Sequence, residues 1–175
     1  MNRTKMIVLG AFMATIAALF QAAPVLLSEV AVILTIFSDL PIYIAARIKP
    51  STGVLSYLVA AFLIMLISTH ESLFFLCTNG VVGLSLGICY YYIKNHQLRR
   101  CFLIVYSKKL ITMMISSIVL TISLSFMNYG IGIPVFGVTL PGPVGLQLTI
   151  LFLFSLLYNF IYSSFMDFIY KRLKL

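Results

Sequence analysis

The sequence is short of charge, and of negative charge above all. Among its 175 residues only four are Asp or Glu, and 9% carry a charge of either sign, against about 25% in an ordinary soluble domain. The carboxylates, Glu29, Asp39, Glu71 and Asp167, include no pair four apart, the spacing that brings two acids to one helical face. Histidine is scarce too, and His70 stands beside Glu71 rather than three or four residues away, so neither run nor face supplies a metal-ligand set. The three cysteines, Cys77, Cys89 and Cys101, are odd in number and lack CxxC spacing, which leaves them as free thiols. There is no GxSxG, no HExxH and no phosphate loop. Hydrolase, metalloprotease and nucleotide-binding functions are therefore excluded, and the sequence predicts a non-enzyme with no cofactor and no metal.

What is present is apolar: 62% of the residues, with a mean hydropathy of +1.11. The apolar residues fall in continuous runs, where a membrane-crossing strand would alternate residue by residue. A spanning helix needs roughly 20 mostly apolar residues. Six runs qualify: Met6 to Pro24, Val30 to Ala46, Gly53 to Ser68, Ser72 to Ile93, Leu110 to Phe126 and Leu148 to Ile169. The expected fold is all-α, a polytopic membrane protein forming a six-transmembrane-helix bundle over a single domain, 1–175. The first run is longer than the roughly 7–15 residues of a signal-peptide core, and is read as a retained span.

The placement of the basic residues orients that bundle. Arg3 and Lys5, Arg47 and Lys49, the loop from Lys94 to Lys109, and Lys171, Arg172 and Lys174 all fall on one side of a six-span chain. Lys and Arg are retained on the cytoplasmic face, so both termini are expected inside. The other three loops hold no Lys or Arg, and their only carboxylates are Glu29 and Glu71. Tyrosines at 90, 91, 92, 106 and 170 cluster near the inner ends as an aromatic belt. The net charge of +8 thus implies a lipid bilayer as partner, and no nucleic acid.

Against this background the polar residues stand out. Asp39 lies about nine residues into the second span, roughly 14 Å deep by helix rise. A carboxylate there is costly unless it faces a partner, water or a cavity. Pro41 removes a backbone donor and frees carbonyls near Phe37 and Ser38, so the pair predicts a broken helix lining a cavity, with a hydrogen-bonded structural Asp as the alternative. The outer loop from Asn128 to Gln147, rich in Gly and Pro yet apolar, is expected to fold back over the bundle mouth, as a lid or as a plug. Candidate substrate contacts on the outer half are Glu29, Asp39, Glu71, Asn79, Asn128, Tyr129 and Gln147. These carboxylates, with no base on that side, favour a cationic or neutral ligand. Gly10, Ala14, Ala18 and Ala22 repeat every fourth residue and form a smooth ridge on one helical face, either packed inside the bundle or docking a partner subunit. Gly80, Gly83 and Gly87 are assigned to internal packing, and Asn159 to helix–helix hydrogen bonding.

The small-residue first helix with its AxxxA, Ala14 to Ala18, and the segment LPIYIAARIKPSTGVLSYLVAAFLI, Leu40 to Ile64, resemble the substrate-binding S components of energy-coupling factor vitamin transporters. The resemblance implies a small water-soluble nutrient as substrate, captured outside a bacterial plasma membrane. It also implies a transmembrane T component packed on Ala14 and Ala18, and two cytoplasmic ATPases as the energy source. Asn79, Asn128, Tyr129 and Gln147 match the family's binding positions by location. The alternative is a membrane scaffold similar to the rod-shape protein MreD, which would need no pocket. A proton-coupled carrier using Asp39 is a third reading.

Overall fold

A computed structural model describes residues 3–27, 29–95, 102–126 and 144–173. The elements are α1 (Arg3–Leu26), α2 (Val32–Thr35), α3 (Asp39–Ile48), α4 (Pro50–Met65), α5 (Thr69–Cys77), α6 (Asn79–Asn95), α7 (Phe102–Ser125) and α8 (Val144–Leu173), with 3-10 turns at Glu29–Ala31 and Ile36–Ser38. The described residues are helical or turn apart from the extended Lys49 and Ser68, and none of them forms a strand. Three helical stretches are long and apolar enough to cross a membrane: Arg3–Leu26, Thr69–Tyr92 and Val144–Met166. Pro50–Met65 and Met113–Ser125 are apolar but shorter.

Several expected boundaries move, each for a local reason. The run from Val30 to Ala46 is not one helix: a four-residue α2 and the Ile36–Ser38 turn precede α3, whose third residue is Pro41. Proline is tolerated in a first helical turn, where its missing N–H has no intrahelical partner to lose. Lys49 sits in extended conformation (φ −156°, ψ 126°) before Pro50 at the start of α4, as a residue preceding proline is forced to do. The run from Ser72 to Ile93 is two helices, broken at Thr78, whose hydroxyl donates back to the Phe74 carbonyl at 2.6 Å. Helix α5 begins at Thr69 because Ser68 caps it, its hydroxyl accepting from the Glu71 N–H at 3.4 Å. The basic loop expected from Lys94 to Lys109 is helical at both ends, up to Asn95 and again from Phe102. Residues 144–147 of the expected outer loop already belong to α8; the rest of that loop lies outside the described residues.

The chain divides into two compact units, Met1–Lys109 and Leu110–Leu175. In the first, small residues hold the interior. Ala14, Ala17, Ala18, Ala60 and Ala61 pack with Ile42, Ile64 and Phe75, while Phe12, Leu19, Leu58 and Phe62 are exposed. Large side chains outside and small or polar ones inside reverse the soluble pattern and suit a chain whose surroundings are hydrocarbon.

Glycine sets the closest approaches. A Cβ at Gly83 would stand 2.6 Å from the Asp39 carbonyl oxygen, and one at Gly87 2.7 Å from that of Tyr43. This stripe of α6 thus seats the backbone of α3, as internal packing requires. The stripe on α1 is likewise filled from within. Gly10, Ala14, Ala18 and Ala22 are all buried, and Ser56 of α4 donates to the Gly10 carbonyl at 2.9 Å. Gly10, Ala14 and Ala18 therefore pack against α4 and α3 of the same chain, Ala22 is buried with them, and the partner-docking expectation for these four residues gives way to its internal-packing alternative.

In the second unit α7 and α8 are joined by neutral hydrogen bonds. Asn159 accepts from the Ser116 hydroxyl at 2.9 Å and donates to Ser117 at 3.1 Å, while its third partner is its own helix's Ser155 carbonyl, to which it donates at 2.9 Å. Thr121 reaches Ser155 at 3.3 Å. This is the helix–helix role expected of Asn159.

Candidate functional site

The first unit buries a polar cluster where four segments end or break. Gln21, near the end of α1, has no exposed surface. It is the one carboxamide of an otherwise apolar helix, and its two ends face opposite chemistry. Its Nε2 donates to the Glu71 carboxylate of α5 at 2.9 Å, while its Oε1 accepts from Asn79 Nδ2 of α6 at 3.1 Å. The Ser38 hydroxyl lies 3.0 Å from the same Oε1. That orientation follows from the neighbours, since an ionised carboxylate can only accept and an amide nitrogen only donate.

The irregular backbone before α3 is a participant. The Thr35 carbonyl accepts from Ser38 Oγ at 2.7 Å and from Asn79 Nδ2 at 3.0 Å. Proline 41 was expected to free carbonyls near Phe37 and Ser38; the carbonyl that collects side-chain donors is one turn earlier, ahead of the 3-10 turn. A serine hydroxyl has a single proton, and the shortest of its contacts is this one, so Asn79 is the main donor to Gln21. Asp39 follows directly. Its carboxylate is fully buried at the head of α3, with Oδ1 3.4 Å from the Ser38 hydroxyl. Thr78, at the helix break, places Asn79 at the first position of α6 and lies 3.4 Å from its Oδ1.

Glu71 and Asn79, chosen from separate segments, are thus joined through Gln21, and Asp39 lies beside them, 3.4 Å from the Ser38 hydroxyl. Of the remaining sequence candidates, Glu29 lies in the first 3-10 turn, with its side chain outside the described residues. Asn128 and Tyr129 lie outside them altogether. Gln147 is half-buried on α8 in the second unit. Gln21 and Ser38 were missed, although a lone amide in an apolar span is itself the signal of a buried hydrogen-bonding site. The cluster offers carboxylates, carboxamides and hydroxyls. Among the described residues no three His, Cys, Asp or Glu side chains gather as a metal site.

The opposite end of this unit is basic. Helix α3 begins with Asp39 and carries Arg47 in its last turn, with the guanidinium 4.8 Å from the Tyr90 ring centroid and 5.6 Å from that of Tyr43. Those rings meet edge to face at 5.8 Å, a cation–π arrangement. Arg3 and Lys49 line one cleft at this same end, 18 residues or roughly 27 Å along α1 from Gln21. Basic and carboxylate ends are therefore segregated along the unit, as the loop charges predict. No family model, no curated protein and no solved structure matches this chain.

Proposed function

We propose that the chain is a substrate-binding membrane subunit, similar to an energy-coupling factor S component, that takes up a small cationic or neutral nutrient. The observation that carries this reading is the meeting of Asp39, Glu71 and Asn79 with Gln21 and Ser38 at the end of the unit remote from Arg3, Arg47 and Lys49. Binding sites need only a few well-placed polar groups among apolar walls. In this reading the chain crosses a bacterial plasma membrane six times, with the irregular α2–α3 segment as the second crossing. The basic end and both termini are cytoplasmic, and the carboxylate end faces outward. Glu29, Asn128, Tyr129 and Gln147 stay as sequence candidates for the same lining. A transmembrane T component and two ATPases supply the energy, and contact with the T component falls to faces other than the buried stripe of α1.

One observation favours a second reading. Gln21, Ser38 and Asp39 have no exposed surface at all, and a filled core is what a scaffold similar to MreD would have.

Gentle extraction of the tagged chain, followed by identification of every co-purifying protein and small molecule, separates the two. The expected result is a T component with paired ATPases and a bound small molecule, the small molecule alone being lost from Gln21→Leu. Recovery with cell-envelope proteins, and with neither ATPase nor small molecule, would instead establish the scaffold.

A further inference from the structure

At the basic end, the start of α1 and the start of α4 enclose a cleft of about 480 Å³, lined by Arg3, Met6, Ile7, Lys49, Ser51, Thr52 and Leu55. The size is within the roughly 300–1,000 Å³ of small-molecule sites. Its two walls differ in chemistry. Arg3 and Lys49 bring two cations and no carboxylate, and Ser51 and Thr52 bring hydroxyls from the first turn of α4. No side chain caps that turn, so its partial positive charge adds to theirs. Met6, Ile7 and Leu55 form the apolar remainder. From Leu55 the apolar surface continues along α4 through Leu58, Val59 and Phe62, all exposed and spaced three and four apart on one helical face. An anionic group with an apolar tail matches both parts, whereas a free anion would use only the first.

We propose that this cleft binds the phosphate of an anionic phospholipid between Arg3 and Lys49, with an acyl chain along Leu55, Leu58, Val59 and Phe62. The site rests on the membrane reading and on nothing in the polar cluster. Arginine supplies a planar fork for two phosphate oxygens and lysine a point charge. The lipid fixes the level of the α1 and α4 termini in the bilayer and completes the junction at which α3 turns into α4 through Lys49.

The test uses the full chain in detergent, with native mass spectrometry reading retained phosphatidylglycerol against phosphatidylcholine. Wild type retains phosphatidylglycerol preferentially. Arg3→Gln and Lys49→Gln each lower that retention about fivefold, the factor one basic residue contributes near an anionic surface, while Arg172→Gln leaves it unchanged. Equal retention of the two lipids, or equal losses from all three variants, would overturn the site in favour of diffuse attraction. Inorganic phosphate displacing the lipid completely at low concentration would overturn the lipid in favour of a soluble anion. Alkaline carbonate extraction keeps the two levels of inference apart. Release of the chain into buffer without detergent overturns the membrane reading itself, and with it the site. A chain that stays in the pellet yet shows no lipid preference overturns the site alone.

Discussion

The two units solve the burial of polar groups in different ways. In the second unit, among the described residues, the side-chain hydrogen bonds that join α7 and α8 come from neutral groups, with Asn159 as the hub. In the first unit the hub is Gln21, and it ties together α1, the turn before α3, α5 and the start of α6, with the Glu71 carboxylate as one partner and the buried Asp39 next to another, Ser38. Neutral hydrogen bonds between two apolar helices are what association in hydrocarbon calls for, at roughly 0.6 kcal/mol each on average. Carboxylates add a desolvation cost that helix association does not require. Their presence in one unit and not among the hydrogen-bonded groups of the other is why the first unit is the place to look for a ligand.

Glycine gives the sharpest contrast. Gly83 has the Asp39 backbone 2.6 Å from where a Cβ would lie, whereas Gly145 in the second unit has nothing within 4 Å. Overpacking against backbone costs roughly 1–3 kcal/mol or more, so Gly83→Leu is expected to abolish recovery of folded, monodisperse chain in detergent. Gly145→Leu should leave recovery and melting temperature unchanged. Matching behaviour of the two variants would remove the close seating of α3 on α6 from the account.

The two hubs come next in size. Gln21→Leu takes an amide donor from the Glu71 carboxylate and an acceptor from Asn79, which keeps the Thr35 carbonyl, and a buried group left without a partner costs about 1–3 kcal/mol. Asn159→Leu strands only hydroxyls, which can rotate to the carbonyls of their own helices; Ser117 already donates to Met113 at 2.7 Å. Its expected cost is about 1 kcal/mol or less. Melting in detergent should therefore fall further for Gln21→Leu than for Asn159→Leu. The reverse order would mean that the first cluster is no more demanding than ordinary helix–helix hydrogen bonding.

Much of this was legible in the chain, and the rest was hidden for identifiable reasons. Hydropathy found the apolar helices because composition alone decides which segments tolerate hydrocarbon. Charge placement anticipated that Arg3, Arg47 and Lys49 share one end of the unit. Asp39 and Pro41 announced the irregular stretch, but the helical register was set by the turn at Ile36–Ser38, for which the apolar sequence carries no punctuation. The division at Thr78 was also hidden, since Thr within an apolar run is compatible with continuous helix; the break is in its backbone, which leaves helical geometry at φ −124°, ψ −90°. Gly10, Ala14, Ala18 and Ala22 declared close helix approach without declaring which helix approaches, and α4 with α3 is the answer. Gln21 is visible as a lone amide in an apolar span, but a neutral side chain does not declare its partners, which come from 17 to 58 residues away.

One start signal in the sequence connects the cap of a helix to the cluster. Ser68 and Glu71 stand at the spacing of a capping box, and the Ser68 hydroxyl accepts from the Glu71 N–H at 3.4 Å. The same Glu71 holds Gln21 through its side chain, so the cap steadies the backbone from which the carboxylate reaches inward. Replacing an N-cap serine by alanine costs about 0.5–2 kcal/mol, and by glycine a few tenths; the long bond places Ser68→Ala near the lower end. The expected outcome is faster amide hydrogen exchange in the first turn of α5 for Ser68→Ala, a smaller change for Ser68→Gly, and none in α8. If exchange also rises at Asn79 in the alanine variant, cap and cluster are coupled through Glu71 and Gln21. A change confined to α5 would make Ser68 a local stop for one helix, with the cluster held by its other hydrogen bonds.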